Sequence, residues 1–258
     1  MSRPWHSRPD DIIVHVMPGS QYSAKVVAAL ESRGLPHFLD FCEPQPPKRR
    51  LPSGKTMVPE IEYKGEAVSD ATAILRFIDE RVDVPEPFVP AAVAADVDTL
   101  DEEAETVLEA VCNFFNYVHQ PSYEASVRQS LSKYVPWWAF WVNIDSYLEA
   151  NREKARGKVD AILATRDLDA VKAKLHATLL KYESRLDANP FLACDAPTLA
   201  DFAVYSKICR MTDNLGDVSV GSAHKDILDA DLPNLRAWFS TMQARSPLKW
   251  KGKRIPDD

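Results

Sequence analysis

Apolar residues follow two rhythms along this chain, and the rhythm changes near residue 90. Ile12–Val16 (IIVHV) is a compact apolar run rich in β-branched residues, which predicts a buried strand. Met17–Gln21 (MPGSQ) carries Pro and Gly and reads as a turn. Beyond it, Ser23, Val26, Val27 and Leu30 share one face of a helix that Gly34 ends. His37–Cys42 (HFLDFC) alternates apolar and polar as a second strand does, and residues 43–57, with four prolines and the cluster PKRR, read as a loop. Val58–Tyr63 and Glu66–Val68 form a predicted hairpin about Lys64-Gly65. Ser69 or Asp70 then caps a helix in which Ala71, Ile74, Leu75 and Ile78 share a face.

After the proline-rich Val82–Pro90 (VDVPEPFVP), the pattern is helical. Leu100, Val107, Leu108 and Val111 lead into an aromatic stretch. Leu175, Leu179, Tyr182 and Leu186 fall at i, i+4, i+7 and i+11, and Leu235, Trp238, Phe239 and Met242 at i, i+3, i+4 and i+7. No strand signal of comparable strength follows residue 95. A mixed β-α-β-β-β-α unit over 12–81, a linker over 82–93 and an all-helical part over 94–258 are therefore expected, with 1–11 as a disordered tail.

Composition narrows the picture. The 258 residues are enough for two modest domains with real cores. A net charge of −7 argues against an extended nucleic-acid footprint. No apolar run is long enough to span a bilayer, and the first residues lack the apolar core of a secretory signal. Four cysteines, at 42, 112, 194 and 209, are too widely spaced for a zinc motif or a disulfide framework and suit reduced thiols in the cytoplasm. The histidines at 15, 37, 119, 176 and 224 are scattered without metal-ligand spacing, so no metal site is expected.

Three local patterns, in order, resemble the cytosolic glutathione S-transferase superfamily. One is Ser20-Gln21-Tyr22-Ser23-Ala24-Lys25-Val26, a polar residue five positions before a basic one at the start of the first helix. Another is Val58-Pro59-Glu60-Ile61 followed by Val68-Ser69-Asp70-Ala71-Thr72-Ala73-Ile74. The third, Phe191-Leu192-Ala193-Cys194-Asp195-Ala196-Pro197-Thr198-Leu199-Ala200-Asp201, is similar to that family's helical-domain signature, with Leu232-Pro233-Asn234-Leu235 and Trp238 fitting its final helix. The resemblance implies an α+β, thioredoxin-like N-terminal domain followed by an all-α C-terminal helical bundle. It identifies the chain as a divergent member of serine type.

The resemblance also assigns residues. Ser20 takes the position of the residue that holds the glutathione sulfur as thiolate, with Ser23 as an understudy. A thiol of ordinary pKa is mostly protonated at neutral pH, so a hydroxyl donor beside helix-start N–H groups favours the ionised form. Pro59 is the expected cis-proline, leaving the Val58 main chain to pair with an extended peptide. Asp70 and Ala71 open the helix that faces the γ-glutamyl end. Ala71 replaces the family's serine and removes one hydrogen bond to a charged group, while its N–H and the helix dipole remain. Met57 stands where relatives carry a polar residue near the glycyl end, for which Lys55, Arg49 or Arg50 are substitutes. Thr198 and Asp201 form a capping box, a folding device. Cys194 replaces a glycine that in the family permits a left-handed turn, so some cost in stability is expected there.

Two functional readings remain open. In one, the protein conjugates the glutathione thiolate to a hydrophobic electrophile, with glutathione as co-substrate and no permanently bound cofactor. The aromatic cluster Phe114, Phe115, Tyr117, Trp137, Trp138, Phe140 and Trp141 would then line an apolar site or serve as core. In the other, it is an inactive ligand-binding or protein-interaction module. A homodimer is expected in either case.

Overall fold

The structure is a computed structural model that describes residues 11–42, 50–119, 144–216, 227–228 and 231–250. The proposed tail, the aromatic residues at 137–141, Arg49 and His224 fall outside these, apart from Asp11.

Strand β1 (Ile12–Val16) is buried along its whole length, as its β-branched run requires. The turn after it delivers Ser20 to the N-cap of α1 (Gln21–Ser32). Helix α1 ends in a Schellman motif: Gly34 at φ 62° lets its N–H reach the Glu31 carbonyl while the Leu35 N–H reaches that of Leu30. Strand β2 (His37–Phe41) returns parallel to β1, and β3 (Glu60–Tyr63) and β4 (Glu66–Ser69) complete a sheet of order β2-β1-β3-β4. Helix α2 (Ala71–Arg81) packs beside α1 on one face. Val58 and Pro59 precede β3 rather than joining it, because their peptide bond is cis.

The helical half begins with α3 (Ala94–Glu103), which runs through a π-type turn at Ala104–Leu108 into α4 (Glu109–Asn113) and a second π-type turn at Phe114–Val118. Helices α5 (Ile144–Leu163), α6 (Leu168–Leu186), α7 (Leu199–Thr212) and α8 (Pro233–Arg245) follow. Every residue of α7 is buried, so it forms the axis of this half and meets α1 along its length. No helix among the described residues is long and apolar enough to cross a membrane. The architecture is the thioredoxin-like unit plus helical bundle expected from the sequence.

The linker is fixed in place. Phe88 is fully buried, its N–H and that of Val89 donate to Asp79, and its carbonyl accepts from Leu199. The Arg33 guanidinium, over the Phe88 ring, donates to the Glu86 and Pro197 carbonyls. Past α8 the chain is not helical but lies back on α1: the Leu248 and Lys249 N–H groups donate to Glu31, and Trp250 is buried. A Cβ on Gly216 would lie 2.0 Å from the Leu248 carbonyl oxygen, so this approach requires glycine.

Cys194 is not among the residues with positive φ; the chain turns there without a left-handed residue. The capping box is present, and Asp201 does more than cap. Its buried carboxylate accepts from the Leu192 N–H at 2.9 Å, from the Thr198 N–H and hydroxyl at 2.8 Å each, and from Trp238 Nε1 at 2.9 Å. It joins the loop before α7 to α8. Asp201→Ala orphans these buried donors and is expected to cost about 3 kcal/mol or more in urea unfolding, against about 1 kcal/mol for Thr198→Ala. Equal losses would reduce Asp201 to an ordinary cap.

Candidate functional site

Sheet register brings the proposed residues to one end of the mixed half. His15 near the end of β1 pairs with Glu60 at the start of β3, and Glu60 pairs with Ser69 at the end of β4. Ser20 follows β1, Val58–Pro59 precede β3, and Asp70–Ala71 follow β4, so all lie past the same edge.

Ser20 caps α1 from an extended conformation, and its Oγ accepts from the Ser23 N–H at a long 3.4 Å. A hydroxyl has two acceptor lone pairs and one donor hydrogen. The cap uses a lone pair and leaves the hydrogen for another acceptor, so capping and thiolate binding are compatible. Ser23 is not an equivalent alternative: it is fully buried, and its Oγ accepts from the Met17 N–H at 3.2 Å to hold the turn. Tyr22, the nearest phenol in sequence, is committed elsewhere. Burial and the neighbouring Glu109 push its pKa far up, and the Lys207 ammonium lies 4.4 Å from its ring centre.

The Val58–Pro59 bond is cis, Pro59 is buried and Val58 is half-buried. Among the described residues, neither the N–H nor the C=O of Val58 takes a hydrogen bond. Asp70 sits at φ 89°, ψ 127°, a disfavoured conformation for a residue with a Cβ, and its exposed carboxylate accepts from the Ala73 N–H at 3.0 Å. Ala71 is buried and brings no hydroxyl. The neighbouring Thr72 hydroxyl points inward, accepting from Lys25 at 2.8 Å and donating to Asp101 at 2.9 Å. Lys55 and Arg50 are exposed in the loop before Val58, and Met57 is 68% exposed.

Two features escaped the sequence reading. The first is Glu60. It is fully buried, bonded to the loop containing Ser53. Its carboxylate accepts from the Ser53 N–H at 3.0 Å, from the Ser53 hydroxyl, and from the Ser69 hydroxyl at 2.6 Å. Burial raises its pKa, but the Ser53 and Ser69 hydrogen bonds outweigh burial and hold it below the usual carboxylate range. Glu60 thus ties the loop before the cis-proline to the corner that carries Asp70.

The second is an ionic cluster behind Ser20. The Lys25 ammonium, with no exposed surface, contacts Asp101 at 2.6 Å and Glu105 at 2.9 Å. Glu105 also holds the equally buried Lys207 at 2.9 Å, and Lys207 lies 3.9 Å from Glu109. Asp101, Glu105 and Glu109 recur every fourth residue and share one helix face. Burial works against ionised Glu105, but Lys207 and Lys25 overcome it and hold the carboxyl down at about 2.

A family model described as the glutathione S-transferase N-terminal domain matches residues 14–86, and one described as the C-terminal domain matches residues 149–240. Among solved structures the chain is similar to FzlA from C. crescentus, at 20% identity over 95% of each chain with a TM-score of 0.58. It is similar to the beta-etherase LigF from Sphingobium sp. strain SYK-6, at 15% identity over 92% of this chain and 96% of that one, with a TM-score of 0.66. Glutathione S-transferase III in its apo form matches at 20% identity over 96% and 98% of the two chains, with a TM-score of 0.59. At such identities the structural matches speak for the fold. No curated protein sequence matches the chain.

The folded pKa of Glu105 lies below its ordinary value of 4.5, so its ionised form stabilises the fold fully above pH 4.5 and loses that contribution as pH falls toward 2. The difference is worth on the order of 3 kcal/mol. Urea unfolding should therefore find Glu105→Gln about 3 kcal/mol less stable at neutral pH, with a flatter decline below pH 4.5 than wild type. Parallel declines would show that another carboxylate governs acid stability. Glu60→Ala should cost about 2 kcal/mol and speed proteolytic nicking between Pro52 and Met57, since the Ser53 and Ser69 donors lose their acceptor. Unchanged nicking would mean the loop is held by other contacts.

Proposed function

Given that the chain belongs to the glutathione S-transferase superfamily, we propose that it binds glutathione beside Val58 and conjugates its thiolate to a hydrophobic electrophile. The observation that carries this reading is the main chain of Val58, half-buried beside cis-Pro59, with neither its N–H nor its C=O hydrogen-bonded among the described residues. An extended peptide pairs with such a segment as an added strand. The γ-glutamyl carboxylate goes to the N-terminus of α2, where first-turn N–H groups have no intrahelical acceptor. The exposed Asp70 carboxylate faces the α-amino group, and Lys55 or Arg50 meets the glycyl carboxylate.

In the reaction, the Ser20 hydroxyl donates to the cysteinyl sulfur, and the dipole of α1 adds positive potential at the same point. Both favour the thiolate over a thiol of ordinary pKa near 8.5. The sulfur lone pair forms the new C–S bond. The electrophile's leaving group departs with its bonding pair, or, in an addition, the adjacent carbanion takes a proton from water. Ser20 stays a hydrogen-bond donor throughout and forms no covalent bond. This reading makes the protein a serine-type transferase acting as a cytoplasmic homodimer.

A second reading, an inactive ligand-binding or interaction module, is favoured by the missing hydroxyl at Ala71 and by the exposed Met57 at the glycyl end. Calorimetry with glutathione, combined with ultraviolet titration of the bound thiol, separates the two. Under the enzyme reading, Ser20→Ala lowers turnover more than affinity and raises the thiol pKa. Ala71→Ser tightens binding about tenfold, the worth of one hydrogen bond to a charged group, with little change in turnover. If Ser20→Ala changes neither turnover nor thiol pKa, Ser20 is only a helix cap. If neither wild type nor Ala71→Ser binds glutathione at millimolar concentration, the second reading takes its place.

A further inference from the structure

Strand pairing assembles a set of metal-ligand types that the chain keeps apart in sequence. Asp40 in β2 and Cys42, the first residue past its end, are two residues apart along an extended backbone, so both side chains leave the same face. Strand β1 lies parallel beside β2 in a register that sets His15 opposite Asp40, and the Cys42 N–H donates to the Val16 carbonyl at 2.8 Å. As a result one imidazole nitrogen, one carboxylate oxygen and one thiol sulfur lie within 4.8 Å of one another. His15 Nδ1 is 2.6 Å from Asp40 Oδ2. His15 is buried, and Asp40 and Cys42 are half-buried. Among the described residues no other three His, Cys, Asp or Glu side chains converge in this way.

We propose that His15, Asp40 and Cys42 hold one divalent transition-metal cation of the zinc class. The donor set decides the class. Magnesium and calcium take oxygen ligands in numbers this group lacks, whereas zinc accepts nitrogen, sulfur and carboxylate oxygen together. Zinc bonds of about 2.0–2.3 Å place ligand atoms roughly 3.3–3.8 Å apart around a tetrahedral ion. The His15 and Asp40 donors, 2.6 Å apart, must therefore part by about 0.7 Å, and separations as long as 4.8 Å must close by about 1 Å, changes that side-chain torsions absorb while the paired strands hold the backbone. Three protein ligands leave the fourth position to water. Glu60, opposite His15 on β3, adds negative charge behind the imidazole. Binding replaces the His15–Asp40 contact and releases the Cys42 thiol proton. The ion then joins the end of β2 to β1.

Cobalt(II) and zinc(II) titration of the full chain, after dialysis against a chelator and without added thiol, tests this independently of glutathione binding. The expected result is one equivalent of cobalt per chain, a near-ultraviolet thiolate-to-cobalt charge-transfer band, and displacement by one equivalent of zinc. Cys42→Ser should abolish the band, Asp40→Asn should weaken cobalt binding at least about tenfold, and Cys194→Ser should change neither. Circular dichroism of the metal-free variants checks that they fold. In the wild-type protein, zinc should also protect Cys42 from alkylation, read by peptide mass, which keeps the test decisive if a variant does not fold. Absence of the band at stoichiometric cobalt, its survival in Cys42→Ser, or Cys42 alkylation unaffected by zinc overturns the proposal and leaves His15–Asp40 as a strand clamp.

Discussion

Two ammonium groups with no exposed surface constrain the whole molecule. Lys25 on α1 and Lys207 on α7 each give up hydration that a charged amine cannot lose without replacement. The replacement is the carboxylate row Asp101, Glu105 and Glu109, with Glu105 shared between the two lysines. Removing Glu105 takes a partner from both lysines at once, so the two halves are held in one relative position by a polar requirement as well as an apolar one. Apolar burial alone would tolerate sliding of α1 along α7; a shared carboxylate between two lysines does not.

That constraint reaches the candidate site through α1. Ser20 is the cap of the helix that Lys25 anchors, and Thr72, one residue past Ala71, is bonded to the same cluster. The starts of α1 and α2 are therefore fixed from behind by one set of charges. The cluster also accounts for the Thr72 side chain, whose hydroxyl turns inward to Lys25 and Asp101. It cannot at the same time replace the hydroxyl missing at Ala71. On the other side of the sheet, Glu60 holds the loop before the cis-proline.

Much of this was legible in the residues themselves. Strand β1, the stop at Gly34, the cap at Ser20, the hairpin at Lys64-Gly65 and the capping box before α7 depend on neighbours within a turn or a strand. Periodicity and side-chain type encode such neighbours directly. The cis bond before Pro59 was expected from the family resemblance of the surrounding motif.

Tertiary structure alone chose the long-range partners. Lys25 and Glu105 are 80 residues apart, and Glu105 and Lys207 are 102 apart. The sequence marks each as an ordinary charged residue. The burial of Glu60 was not legible because alternation says which face a strand residue takes, not what covers that face. The irregular stretch that ties Leu248 to Glu31 of α1 and Trp250 to the Leu215 carbonyl carried no periodic signal. His15, Asp40 and Cys42 lacked metal spacing along the chain because their proximity arises from a parallel register across two strands. Local geometry is written in spacing; which distant surfaces meet is decided only when buried area and buried charge are satisfied together across the whole fold.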